Sequence, residues 1–76
     1  MTTIKLSVPE VLMEQELLQV MNELDKISNV HTAIERIGAF RRTLYITVDL
    51  PVLTNDEIAE LGFLVGTKMM LKMSSR

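Results

Sequence analysis

The sequence predicts a small α+β domain in which two helices cover one face of an antiparallel sheet. Three observations support this fold class. Residues 43 to 50 alternate strictly between polar and apolar side chains, the period of a strand with one solvated face. A broad apolar stripe at helical spacing precedes that strand. After Pro51, Thr54 and Glu57 form a capping box, which marks the start of another helix.

The first strand and the first helix are predicted from residues 3 to 27. Ile4 and Leu6 alternate with polar residues, which indicates a strand. Ser7 and Glu10 have capping-box spacing, so the helix is predicted to begin near Glu10. It should extend to the end of an apolar series at spacings of three and four: Met13, Leu17, Val20, Leu24 and Ile27. A coiled coil has the same spacing, but this stretch is short and lacks charge pairs along the seam.

A β-hairpin is predicted for the middle of the chain. Residues 30 to 37 alternate as a strand, although Thr32 and Glu35 could also cap a short helix ended by Gly38. A loop of three residues from Gly38 to Phe40, or of five ending at Arg42, would align the apolar faces of the two strands. The strand from 43 to 50 is expected to be central and to stop at Pro51.

The C-terminal segment has two interpretations. In the first, the helix stops near Val65, Gly66 caps it, and residues 68 to 73 form a last strand with Lys68, Met70 and Lys72 outward. In the second, one helix spans residues 54 to 73 and carries Gly62 and Gly66 in its interior, at about 1 kcal/mol each relative to alanine. The alternating pattern favours the strand, whereas the helix propensity of methionine and lysine favours the helix.

With the strand interpretation, the chain is a single ferredoxin-like βαββαβ domain over residues 1 to 76, with the first and third strands central. The alternative is βαββα with the long helix 54–73. The element order, the Val30-His31 pair, Gly38 and the stretch TVDLPVLTNDEI resemble ferredoxin-like families such as heavy-metal-associated domains and the cytoplasmic domains of cation-diffusion transporters. The resemblance implies the fold and no metal ligands, because the chain has no cysteine for a CxxC motif and a single histidine.

Composition indicates a non-enzymatic, cytoplasmic protein without a membrane segment. The net charge is −2, and neither a signal peptide nor a membrane-length apolar run is present in the 76 residues. His31 alone cannot form a histidine metal site, and no histidine is positioned by pattern to activate a serine. We therefore expect no catalytic residues, cofactor or metal.

The distribution of charge predicts where a partner binds. In the βαββαβ arrangement most acidic residues lie on the helices, while most lysines and arginines lie in strands, the hairpin loop or the tail. The open face of the sheet would then be cationic around one aromatic ring. The residues predicted to contact a partner or ligand are Tyr45, Lys5, Lys68, Met70, Lys72, Arg41, Arg42 and Thr47.

Three functions fit such a face. The preferred one is association with a second copy or a larger protein, as a regulatory module, inhibitor or accessory factor, through the open sheet face or an edge strand. The second is binding of single-stranded nucleic acid, with bases stacked on Tyr45. The third is sensing of a small anion at a dimer seam.

Overall fold

The computed structural model describes residues 1–49 and 53–75. Within them the chain forms three strands and two helices. In chain order these are β1 Thr2–Ser7, α1 Glu14–Asp25, β2 Val30–Ile37, β3 Arg41–Val48 and α2 Asn55–Ser74. The strands form one antiparallel sheet in the order β1-β3-β2. The predicted α+β class and the central position of β3 are confirmed.

The hairpin has the predicted loop and register. A three-residue loop joins β2 to β3, and Gly38, its first residue, adopts a positive φ of 65°. Val30 pairs with Val48, and Ile34 pairs with Leu44, so the apolar residues of both strands share one face. The predicted limits of the strand, residues 43 to 50, are shifted, because β3 begins at Arg41 and its last residue is Val48. Leu50 and Pro51, which were predicted to end it, lie outside the described residues.

The core lies between this sheet face and the two helices. From the sheet it takes Leu44, Ile46 and Val48, all at most 5% exposed. Both helices contribute buried residues to the core. These are Leu17, Val20 and Leu24 from α1, and Val65 and Met69 from α2. Burial of these side chains is the main stabilising contribution to the fold.

Helix α1 begins later than the capping pattern predicts. Its N-cap is Met13, whose N–H donates to Glu16 Oε1 at 2.8 Å. Ser7 is instead the last residue of β1, paired with Thr43. The residues between form a turn in which Leu12 N–H donates to Pro9 O at 3.1 Å and the Leu12 side chain is buried. Burying Leu12 in the core requires this turn, so the local capping signal does not decide the helix start.

The predicted C-terminal strand is wrong, since residues 68 to 73 belong to α2. Val65 and Met69 lie one turn apart on the buried side of the helix, so continuing the helix places both in the core. Lys68 and Lys72, also one turn apart, then reach the same carboxylate on α1. These contacts outweigh the cost of Gly62 and Gly66 in the helix interior. The structure therefore has the βαββα order, and the full ferredoxin-like topology is not confirmed.

In the described chain β1 has a neighbouring strand, β3, on one side only. β1 is therefore an edge strand. The central position that the βαββαβ arrangement predicted for it is wrong. Helix α2 contacts β1 and α1, while α1 contacts β2, so α2 lies over the β1 side of the sheet.

Replacing Gly62 with alanine should stabilise the domain. A Cβ at Gly62 meets no atom within 4 Å, so the substitution gains helix propensity without a clash. We expect a gain of up to about 1 kcal/mol, and Tm should rise by about 4 to 8 °C. Thermal denaturation followed by circular dichroism measures this. Gly38→Ala is the matched control, since its φ of 65° disfavours a side chain and Tm should fall. An equal response of Tm to the two substitutions would contradict the helical assignment of Gly62.

Candidate functional site

The open face of the sheet is polar, and its side chains bind one another. The Tyr45 hydroxyl donates to Glu35 Oε1 at 3.0 Å, and this hydrogen bond, with burial and the negative charge, raises the pKa of Tyr45. Lys5 Nζ lies 5.7 Å from the centroid of the same ring, within cation–π range. The hydroxyls of Thr3 and Thr47 are 3.2 Å apart. Of the predicted contact residues, this face therefore brings together Lys5, Tyr45 and Thr47.

Arg42 and Arg41, also predicted contact residues, have different surroundings. The Arg42 side chain is 13% exposed, and its guanidinium donates to Pro9 O at 3.1 Å and to Leu12 O and pairs with Glu14 Oε2 at 3.1 Å. Arg36 binds the other oxygen of Glu14. These two cations, chiefly Arg36 by its hydrogen bond, hold the pKa of Glu14 below its ordinary value. Arg42 thus fixes the turn before α1, whereas Arg41 is exposed.

Lys68 and Lys72 lie at the contact between the helices, away from the open sheet face. Their ammonium groups are 3.2 and 3.4 Å from the two carboxylate oxygens of Glu23 on α1. The hydrogen bond from Lys68, followed by the influence of Lys72, lowers the pKa of Glu23. The predicted cationic sheet face is therefore wrong, because forming α2 moves both lysines to the helical side. Met70 is exposed on α2.

Helix α2 carries an uncovered apolar surface. We call it the outer face of α2 and define it by four residues with exposures of 78, 40, 64 and 63%, respectively: Phe63, Leu64, Met70 and Leu71. Thr67 lies among them, and Glu60 is exposed one turn before Phe63 and Leu64. Leu71 borders Lys68 and Lys72, which face α1 and pair with Glu23. A large apolar side chain presents on the order of 200 Å² when fully exposed, so the face covers roughly 450 Å². Patches of that size on soluble domains commonly mark interaction sites.

Sequence reasoning identified only Met70 of this surface. The strand interpretation turned Leu71 inward and left Phe63 and Leu64 unassigned. A helical projection of the alternative, residues 54 to 73, contains the signal, because apolar residues then occupy both the buried and the outer sides of one helix.

The described residues contain no group of three acidic, histidine or cysteine side chains placed to hold a metal ion. The Nε2 atom of His31, on the solvated side of β2, lies 3.0 Å from Oδ2 of Asp49. In residues 1–49 and 53–75 no helix has the length and hydrophobicity needed to cross a bilayer.

Comparison with known proteins finds no match: no family model, curated sequence or solved structure is significantly similar to this chain.

The ion pairs of Glu23 should contribute a pH-dependent part of the stability. Because the folded pKa of Glu23 lies below its ordinary value of 4.5, this contribution is complete above that value and disappears as the pH falls through the lowered pKa. Glu23→Gln should therefore lower Tm at neutral pH, and its Tm should converge on that of the wild type in acid. Thermal denaturation across a series of acidic pH values tests this.

Glu10→Gln is the matched control for Glu23→Gln. Glu10 is exposed and forms no ion pair with the other described residues, so its substitution should leave the pH profile of Tm unchanged. A constant difference in Tm between Glu23→Gln and the wild type at every pH would contradict the assigned pairing.

Proposed function

We propose that this chain is a non-enzymatic protein–protein interaction module that forms a homodimer through the outer face of α2. The observation that carries the proposal is the exposure of Phe63, Leu64, Met70 and Leu71 within two to three turns of a 20-residue helix. Such a helix is about 30 Å long, enough for a continuous helix–helix contact.

The total exposed area exceeds the average for a monomeric protein of this mass. The chain exposes 5195 Å², whereas a monomeric protein of 8.6 kDa is expected to expose about 4,700 Å². The excess of roughly 500 Å² is similar to the area of the outer face of α2. Burying that face would bring the exposed surface to the value typical of a folded protein of this mass.

The pattern of side chains on α2 favours a second copy as the partner. Phe63 and Met70 lie on the same side of the helix and are placed evenly about the peptide between Gly66 and Thr67. If two copies of α2 pack antiparallel about a two-fold axis at that point, each Phe63 faces the partner's Met70. The small residues at the crossing let the helices approach closely, and the aromatic–sulfur contact is favourable. A two-fold interface needs this self-complementarity.

A homodimer would suit a regulatory or accessory role. The polar sheet face, with Tyr45 and Lys5, remains exposed on both copies and is available to a third molecule. The nucleic-acid and anion alternatives have less support, because Lys68 and Lys72 are engaged by Glu23 on the other side of the molecule.

Phe63→Glu should dissociate the dimer. Each dimer loses two central aromatic contacts and gains two buried charges, so Kd should rise at least about thirtyfold, the equivalent of 2 kcal/mol for a hot-spot residue. Size-exclusion chromatography with light scattering, over a concentration series, measures the effect.

Phe40→Glu is the matched control. Phe40 is 73% exposed in the hairpin loop, similar to Phe63, and is not part of the outer face of α2. Its substitution should leave Kd unchanged. A wild-type chain that is monomeric at high micromolar concentration, or equal weakening by both substitutions, would contradict the proposal.

A further inference from the structure

The two edges of the sheet differ in how their backbone groups are used. Val8 N–H donates to Arg42 O at 3.0 Å, so the backbone N–H and C=O groups of Val8 point towards β3. Residues of an antiparallel strand face their partner strand alternately, so Thr2, Ile4 and Leu6 also face β3. The N–H and C=O groups at three positions of β1 therefore point out of the sheet: Thr3, Lys5 and Ser7.

The same reasoning identifies the outward groups of β2. Asp49 N–H donates to Asn29 O at 2.8 Å, so the backbone groups of four β2 residues point away from β3: Val30, Thr32, Ile34 and Arg36. The first two of these N–H groups are occupied. Val30 N–H donates to Ile27 O at 3.2 Å, and Thr32 N–H donates to Asp25 Oδ1 at 3.0 Å.

The Asp25 carboxylate thus blocks the β2 edge at Thr32, and it also accepts from the Thr32 hydroxyl at 2.8 Å. No hydrogen bond of this kind reaches the outward N–H groups of β1 from residues 1–49 or 53–75. Native sheets usually protect such edges, because unpaired strands bind other strands. In the described chain the outward N–H groups of β1 are therefore open along the whole strand, whereas those of β2 are blocked at Val30 and Thr32, the first two of its four outward positions.

The open β1 edge and the outer face of α2 lie on the same side of the molecule. Lys68 and Lys72 face α1, and at 100° per residue Phe63 and Met70 project about 140 to 180° away from them. Because α2 lies over the β1 side of the sheet, these two side chains point past β1. A molecule that pairs with β1 would therefore also meet Phe63 and Met70.

We infer that β1 of a second copy pairs antiparallel with β1, so that the homodimer contains one continuous six-stranded sheet beneath the antiparallel α2 pair. This inference rests on the proposed dimer and specifies its second contact. One two-fold axis normal to the sheet relates both the strands and the helices. Each β1 occupies the place at the sheet edge where the sequence pattern predicted a fourth strand.

The area required for a stable dimer supports a second contact. Each partner in a standard interface contributes roughly 800 Å². The outer face of α2 supplies about half of that area. The strand edge that runs alongside it is the adjacent surface with unpaired hydrogen-bonding groups.

Charge decides the register of the two β1 strands. Residues whose backbone groups point out of the sheet must lie opposite each other so that the two strands can form hydrogen bonds. This condition leaves two registers near the strand centre. In one, Lys5 lies directly opposite the partner's Lys5, and such like-charge pairs are unfavourable. In the other, Ile4 lies opposite the partner's Ile4, and Thr3 exchanges hydrogen bonds with the partner's Lys5. The second register is the one assigned here.

Amide hydrogen exchange, measured by NMR on the whole chain, tests the strand pairing. In the dimer the amides of Thr3 and Lys5 should exchange about tenfold more slowly, or slower still, than in a sample diluted to monomer. Ile4 and Leu6, which bond to β3, should be protected in both samples. The Phe63→Glu variant provides a second monomeric reference.

The possible outcomes separate the two proposals. A dimer in which Thr3 and Lys5 exchange as fast as in the monomer would overturn the strand pairing and leave the helix contact standing. A Phe63→Glu variant that remains dimeric, with Thr3 and Lys5 protected, would support the strand pairing and overturn the helix contact. A chain that is monomeric at high micromolar concentration would overturn both.

Disulfide cross-linking tests the register. The natural sequence has no cysteine, and directly opposite residues at a non-hydrogen-bonded position have Cα atoms about 4.5 Å apart, within the range of a disulfide. Ile4→Cys should therefore form a covalent dimer under mild oxidation. Ile34→Cys, a half-buried isoleucine on the β2 edge, is the matched control and should remain monomeric on a denaturing gel. Equal cross-linking of the two variants, or none with a folded Ile4→Cys dimer, would overturn the assigned register.

Discussion

Burial of Val65 and Met69 at one-turn spacing is the interaction on which the rest of the structure depends. Val65 is 0% exposed and Met69 is 5% exposed, and both belong to the core formed by α1 and the sheet. This packing keeps residues 66 to 74 helical. Since the same residues then cannot add a strand beside β1, the open sheet edge and the uncovered outer face of α2 have one physical cause.

Two exposed carboxylates determine where the positive charge lies. Glu14 binds Arg36 and Arg42 at the start of α1, and Glu23 binds Lys68 and Lys72 at the helix contact. Four of the eight lysine and arginine residues are thus held by two acidic side chains. The sheet face keeps Lys5 over Tyr45 and remains a polar surface without concentrated charge.

A domain of this size gains much from association. The described chain buries eleven apolar residues in its core, and a core in a chain of 76 residues supplies only a modest margin of stability. In the proposed dimer, a second copy would cover apolar area on α2 and pair backbone groups on β1 at once. The polar sheet face would lie on the opposite side of a continuous sheet, doubled by symmetry and free to bind another molecule.

The sequence by itself determined the elements that depend on neighbouring residues. The alternation in β2 and β3, the loop length and Gly38 determined the hairpin and its register, and Thr54 with Glu57 determined the start of α2 through hydrogen bonds of 3.2 and 3.1 Å. Each of these follows from side-chain period or local capping, which act over a few positions. These rules were sufficient for the α+β class and for a central β3.

Only the tertiary structure decided the ending of α2, the edge position of β1 and the outer face of α2. Residues 68 to 73 satisfy both a strand and a helix pattern, so the choice depends on whether Met69 and the two lysines find partners elsewhere in the fold. Their partners are the shared core and Glu23, which is 45 residues from Lys68. Contacts at that separation leave no local period in the sequence, and for this reason the choice between strand and helix was made only by the tertiary structure.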